Sequence, residues 1–136
     1  MKRLWMLFVL AVLVTGCASV STTGGFEVFL SENDSGSFNV RIDDKQLAHD
    51  LIVERAIAHR GISDFLSAQV VIRNVCKGDY SVQYKFMFFD VNGLEIRPGD
   101  RGWEQKVLHS GEAVSLAAVA PDKAVASFIV RVRRVN

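Results

Sequence analysis

The apolar positions change their period twice along the chain. Leu4 to Val14 is an unbroken apolar run of 11 residues, followed at once by Ser19, Ser21, Thr22 and Thr23. From Phe38 onward the period is two. Leu66, Ala68, Val70 and Ile72 point one way, while Ser67, Gln69 and Arg73 point the other, with Val71 the exception. Tyr80, Val82, Tyr84, Phe86 and Phe88 form a second apolar file against Ser81, Gln83 and Lys85. Alternation of this kind predicts strands with one packed face and one wet face. Asp90-Val91-Asn92-Gly93 follows, and Asn-Gly suits the positive φ angles of a tight hairpin, so Leu94-Glu95-Ile96 is expected to return as a strand. Further strands are predicted over Trp103 to Leu108, Ala113 to Val119 and Val125 to Val135, separated by His109-Ser110-Gly111 and Pro121-Asp122. In the last of these Ala126, Phe128, Val130 and Val132 face in, and Arg131 and Arg133 face out. Leu51 to His59 reads as a strand of mixed pattern, and Asp43 to His49 as a helical turn or irregular chain.

Seven or eight short strands without a clear helix make an all-β fold. A sheet with one apolar face must be covered by another, so the expected architecture is an immunoglobulin-like β-sandwich, with a small β-barrel as the alternative. The Cys-Trp-Cys signature of true immunoglobulin domains is absent, which makes the likeness architectural.

The apolar run is too short to span a bilayer, which takes about 20 residues. As a core helix, hydrophobic on every side, it would need protein all around it. With Lys2 and Arg3 before it and small residues after it, it has the build of a secretory leader. Leu13-Val14-Thr15-Gly16-Cys17 resembles the lipobox of bacterial lipoprotein precursors. That resemblance implies cleavage before Cys17, acylation of its sulfur, and anchoring through more than one acyl chain. Ala18, where inner-membrane retention would call for Asp, implies the periplasmic side of the outer membrane of a Gram-negative cell. The expected organisation is a leader over 1–16, a lipidated Cys17 and tether over 17–37, and a β domain over 38–136. Within the tether Phe26-Glu27-Val28-Phe29-Leu30 could pair as a short strand or dock on the domain. A flexible coil of about 20 residues spans roughly 25 Å.

Charge narrows the partners. The chain carries 16 Lys+Arg against 15 Asp+Glu. Loss of Lys2 and Arg3 with the leader leaves 14 against 15, a net charge of −1. No basic excess of the kind nucleic-acid binding requires is present. Of the two cysteines, Cys17 is committed to lipid, and Cys76 lies in Asn74-Val75-Cys76-Lys77-Gly78-Asp79, which reads as a turn. A lone turn thiol without an adjacent base is not a nucleophile in waiting.

His49, His59 and His109 lack short ligand spacing, so neither a metal nor another cofactor is expected. No Gly-x-Ser-x-Gly elbow supports a serine triad. Glu95, Asp100, Glu104 and Glu112 are the carboxylates that could be paired for glycoside cleavage, but their placement in turns reads as a solvated rim. No catalytic residue is expected. The candidate partner surface is instead Met87 and Phe89, which fall on the polar side of their strand, with Trp103, Arg97, Arg101, Arg131 and Arg133. Outward arginines also serve simply to blunt strand edges.

The stretch Tyr80-Ser81-Val82-Gln83-Tyr84-Lys85-Phe86-Met87-Phe88-Phe89-Asp90-Val91-Asn92-Gly93-Leu94-Glu95-Ile96 resembles the core motif of the YcfL-like periplasmic lipoproteins. The likeness continues through Trp103, Leu108, Ser110-Gly111-Glu112 and Ala120-Pro121, and covers most of residues 47 to 135. Phe88 stands where many relatives carry Trp. The resemblance implies a β-sandwich in the envelope and no agreed activity. The proximity of some relatives' genes to a lipoprotein activator of peptidoglycan synthesis implies a part in envelope assembly. The expectation is therefore a lipid-anchored, non-catalytic binding or accessory module with an envelope protein partner. The alternative is a small chaperone or pilotin that escorts an outer-membrane component.

Overall fold

A computed structural model describes residues 26–30 and 38–135. The leader and Cys17 lie outside the described residues. Eight strands and one short helix follow in the order β1 (Phe26–Leu30), β2 (Phe38–Ile42), α1 (Lys45–Asp50), β3 (Leu51–Arg60), β4 (Leu66–Asn74), β5 (Tyr80–Phe89), β6 (Glu104–Leu108), β7 (Ala113–Val119) and β8 (Ser127–Arg134). They form a five-stranded sheet, β1-β2-β8-β5-β6, and a three-stranded sheet, β3-β4-β7. The arrangement is an open sandwich and not a closed barrel. In immunoglobulin terms β3-β4-β7 stand as A-B-E and β6-β5-β8 as C′-C-F. The place of strand G is taken by β2, which runs parallel to β8.

The core is made by the inward files of both sheets. Val82, Phe86 and Phe88 of β5 meet Phe128, Val130 and Val132 of β8, and Val40 and Ile42 extend that layer across β2. Leu66, Ala68, Val70 and Ile72 of β4 oppose them with Val114 and Leu116 of β7. Phe86, Phe88 and Phe128 pack as a cluster with ring centroids 5.9–6.4 Å apart. Each buried aromatic removes on the order of 150–250 Å² from water, so this triplet is a large part of the apolar gain of folding.

Three local features refine or correct the sequence expectations. The segment before β3 is a true helix: the Asp44 carboxylate accepts from the Leu47 backbone N–H at 2.7 Å and caps α1, while Leu47 plugs the core. The mixed pattern of β3 has a cause. A bulge between Val53 and Arg55 shifts the register, so the inward file runs through Leu51 before it and Ala56 after it.

The third is a correction. Leu94 to Ile96 does not form a return strand; its pairing stops at a single bridge, Phe89 to Glu95, and an Ile96 N–H bond to the Phe88 carbonyl at 2.8 Å. Asp90 holds the turn by accepting from the Asn92 and Leu94 N–H groups at 2.8 and 3.0 Å. Only Gly93 there takes a positive φ (79°), which makes the turn a type I followed by a left-handed glycine and not the two-residue mirror-image type. Arg97 then adopts φ 51° ahead of Pro98, which has no N–H to give a ladder. The chain leaves the sheet and rejoins it as β6, paired with the first half of β5.

Candidate functional site

The parity of β5 and β8 sorts their side chains. Residues in register with the buried Val130 and Val132 face the core, and those between them face out. On the outer face of the five-stranded sheet Arg41, Arg131 and Lys85 are therefore in line across β2, β8 and β5. The next row along carries Arg133, Gln83 and Gln105. The row on the other side carries Ile129 and Met87, and beyond it Ser127 faces Phe89.

Trp103 sits just before β6, half-buried over this face. The Arg133 guanidinium lies 3.9 Å from its ring centroid and that of Arg131 5.7 Å. Arg133 is fixed in place by two hydrogen bonds, from Nε and Nη2 to the Gln83 side-chain oxygen at 3.0 and 2.8 Å. Arg131 donates to the Asp43 carboxylate at 2.6 Å, and Arg41 lies 3.5 Å from the same group. Among the described side chains, four basic groups share this face with one carboxylate, Asp43, and Glu27 of β1 stands in register with Arg41. Cations over an indole are held by its quadrupole, so the cluster is ordered without being neutralised.

Of the sequence candidates, Met87, Trp103, Arg131 and Arg133 come together here, with Phe89 half-buried at the far end of the face. Arg101 does not join them. Its guanidinium lies 5.4 Å from the ring centroid of the inward Phe88 and donates to the Val119 carbonyl of β7, so it ties the two sheets together. Arg97 is exposed in the loop, 4.0 Å from Asp100. Arg41, Lys85 and Gln83 belong to the surface and were not singled out by the sequence; their odd positions in the same files are the signal that places them.

A second polar cluster closes one end of the sandwich. Asp50, only 8 % exposed, accepts from the Tyr80 hydroxyl and from Gln46 Nε2 at 3.1 Å, with His49 Nδ1 also at 3.1 Å. The Tyr80 bond, then His49 and Gln46, pull its carboxyl down to about 2, while the carboxylate pushes Tyr80 up to about 12. Burial, with the Glu104 carboxylate 2.6 Å away, likewise raises Tyr84 to about 12. The Arg134 guanidinium stacks over Tyr80 at 5.0 Å.

Asn74 is fully buried and saturated. Its Nδ2 donates to the Gly78 and Leu108 carbonyls at 2.8 and 3.1 Å, and its Oδ1 accepts from the Cys76 N–H at 3.0 Å. Cys76 is a free, half-buried thiol in that turn. His109 lies 3.0 Å from Asp79, which raises the imidazole pKa and lowers that of the carboxyl.

Among the described residues no group of three or more His, Cys, Asp or Glu is placed to hold a metal ion. His49 and His59 are exposed on α1 and β3, and His109 is exposed in its turn. Of the carboxylates weighed as a pair, only Glu95 and Asp100 share a site, a shallow groove beside Met87 and Ile96. Glu104 is engaged with Tyr84, and Glu112 with the His109 N–H at 3.0 Å. No helix among the described residues is long and apolar enough to cross a membrane.

Two solved structures share the fold. The crystal structure of Campylobacter jejuni cj0090 matches with a TM-score of 0.61 at 18% identity, covering 71% of this chain and 97% of that one. A DUF1425 family member from Shewanella sp. pv-4 matches with a TM-score of 0.58 at 22% identity, covering 89% of this chain and 98% of the other. No curated protein matches the sequence. Residues 38–134 match the model of the family described as protein of unknown function, DUF1425. The chain is a member of the DUF1425 family.

Proposed function

We propose that the protein is a lipid-anchored envelope module of the YcfL-like kind, which binds and does not catalyse. The leader over 1–16 is removed, Cys17 carries the lipid, and the β domain faces the periplasm from the outer membrane. The observation that carries a binding role is the ordered, cation-rich platform of Trp103, Arg131 and Arg133 on a half-exposed sheet face. A flat face with charges held on an indole suits recognition, whereas catalysis calls for a cleft with convergent titratable groups.

Anchoring supplies the mechanism. A domain held near the bilayer meets components there at high effective concentration, so a modest surface suffices. A protein partner in envelope assembly is recruited at the outer edges of β6 and β7, whose free backbone groups can take an added strand. Photocrosslinking in cells from positions in β6, β7 and the Arg97–Trp103 loop tests this reading. It predicts one envelope protein recovered repeatedly from the same positions. Recovery of unrelated proteins in proportion to their abundance contradicts it, and capture of one short peptide whose owner then changes location favours an escort role.

A further inference from the structure

We propose that the outer face of the five-stranded sheet docks on the anionic headgroups of the very bilayer that holds the anchor; this rests on the lipidation of Cys17 proposed above. Placement is the first argument. β1 is an edge strand of that sheet, and Phe26 is in register with Ile42, which pairs with Val132. The Arg41–Arg131–Lys85 row is the adjacent one. The chain therefore enters the sheet at the end where its cations lie. Eight residues lie between Cys17 and Phe26, a contour of at most about 30 Å. The cationic end of the face is kept within that reach of the membrane.

Chemistry is the second argument. Basic side chains attract anionic headgroups, and an indole on a face that also carries Met87 and Ile129 suits the boundary where headgroups meet acyl chains. Among the described side chains, neither Lys85 nor Arg133 has a carboxylate within salt-bridge reach, so both are open to phosphate. The shallow groove beside Met87 touches the Arg41–Arg131–Lys85 row at Lys85 alone and does not run along it to Arg131 or Arg41. A bilayer needs no such groove, because it offers phosphates at every position. A few cations are a weak attraction for a free protein, but enough for a domain already tethered beside its ligand.

Trp103 reads the docking directly. The only other tryptophan, Trp5, leaves with the leader. The mature lipidated protein is reconstituted into two kinds of vesicle doped with brominated lipid: phosphatidylethanolamine with phosphatidylglycerol, and phosphatidylcholine alone. Docking predicts Trp103 quenching at least about twofold stronger in the anionic vesicles, reversed by salt well above the physiological range. The Lys85→Gln/Arg133→Gln double variant is expected to be quenched to the same low extent in both. Equal quenching of the unaltered protein in the two vesicles, with the protein retained in both, overturns docking and leaves the anchor standing. Absence of lipid on the purified chain overturns both. A Trp103 response to an acidic peptide that is blind to lipid composition also overturns docking, in favour of a protein ligand.

Discussion

Arg133 lies over Trp103, its guanidinium carbon 3.9 Å from the ring centroid, while the same group gives two hydrogen bonds to Gln83. One side chain from each of β8, β5 and the start of β6 thus forms a single stack on the sheet surface. Arg133 is exposed on the half-buried indole, so the contribution of the stack to stability is small, about 0.5–1 kcal/mol. Arg133→Gln is accordingly expected to leave the melting temperature nearly unchanged and to free the indole, seen as a red-shifted, less anisotropic Trp103 emission. Unchanged emission and anisotropy would mean that the stack does not order the ring.

The Asp50–Tyr80 bond sets a pH window. Asp50 is lowered from 3.8 to about 2, so its contribution is full above the unfolded value and is lost as pH falls toward 2. Tyr80 is raised from 10.0 to about 12, so its contribution is full below pH 10 and is lost as pH rises through 12. Stability is expected to be flat with respect to this pair between those limits and to decline outside them. Tyr80→Phe should flatten the alkaline limb and move the Asp50 titration, followed by carboxyl carbon NMR, back toward 3.8.

Asn74 braces two turns at once. Asn74→Ala strands the Leu108 and Gly78 carbonyls and the Cys76 N–H, and each group left unsatisfied costs about 1–3 kcal/mol. Denaturant unfolding should show a loss of at least about 2 kcal/mol, with faster hydrogen exchange at Cys76. A neutral substitution would mean that water replaces all three bonds.

The inward face of β5 is similarly demanding. Phe88→Ala opens a cavity beside Phe86 and Phe128 and should cost about 3–5 kcal/mol by chemical denaturation. A loss below about 1 kcal/mol would show the three rings to be loosely packed.

Strands β4, β5, β7 and β8 were legible because each has one buried face, and burial writes a period of two into the sequence. So was the grouping of Met87 with Arg131 and Arg133, since strand parity alone decides which face a residue takes. Pairing was not legible. That β2 lies parallel beside β8, bringing Arg41 in line with Arg131 and Lys85, depends on contacts nearly ninety residues apart. The bulge at Glu54 hid the pattern of β3, because one extra residue reverses the faces that follow. Arg101 read as a surface cation, yet its stem and guanidinium cross to Val119, a partner only the fold supplies. Asp50 and Tyr80 gave no signal at all, since a hydrogen bond between a helix end and a strand thirty residues on has no local spacing.

The anchor on Cys17 is the claim from which the binding role and the docking both derive. Cells expressing the full chain or its Cys17→Ser variant are fed labelled palmitate and fractionated. Lipidation at Cys17 predicts label on the unaltered chain, recovery with the outer membrane, and loss of both in the variant. An unlabelled chain that fractionates identically with and without the Cys17 sulfur would contradict it.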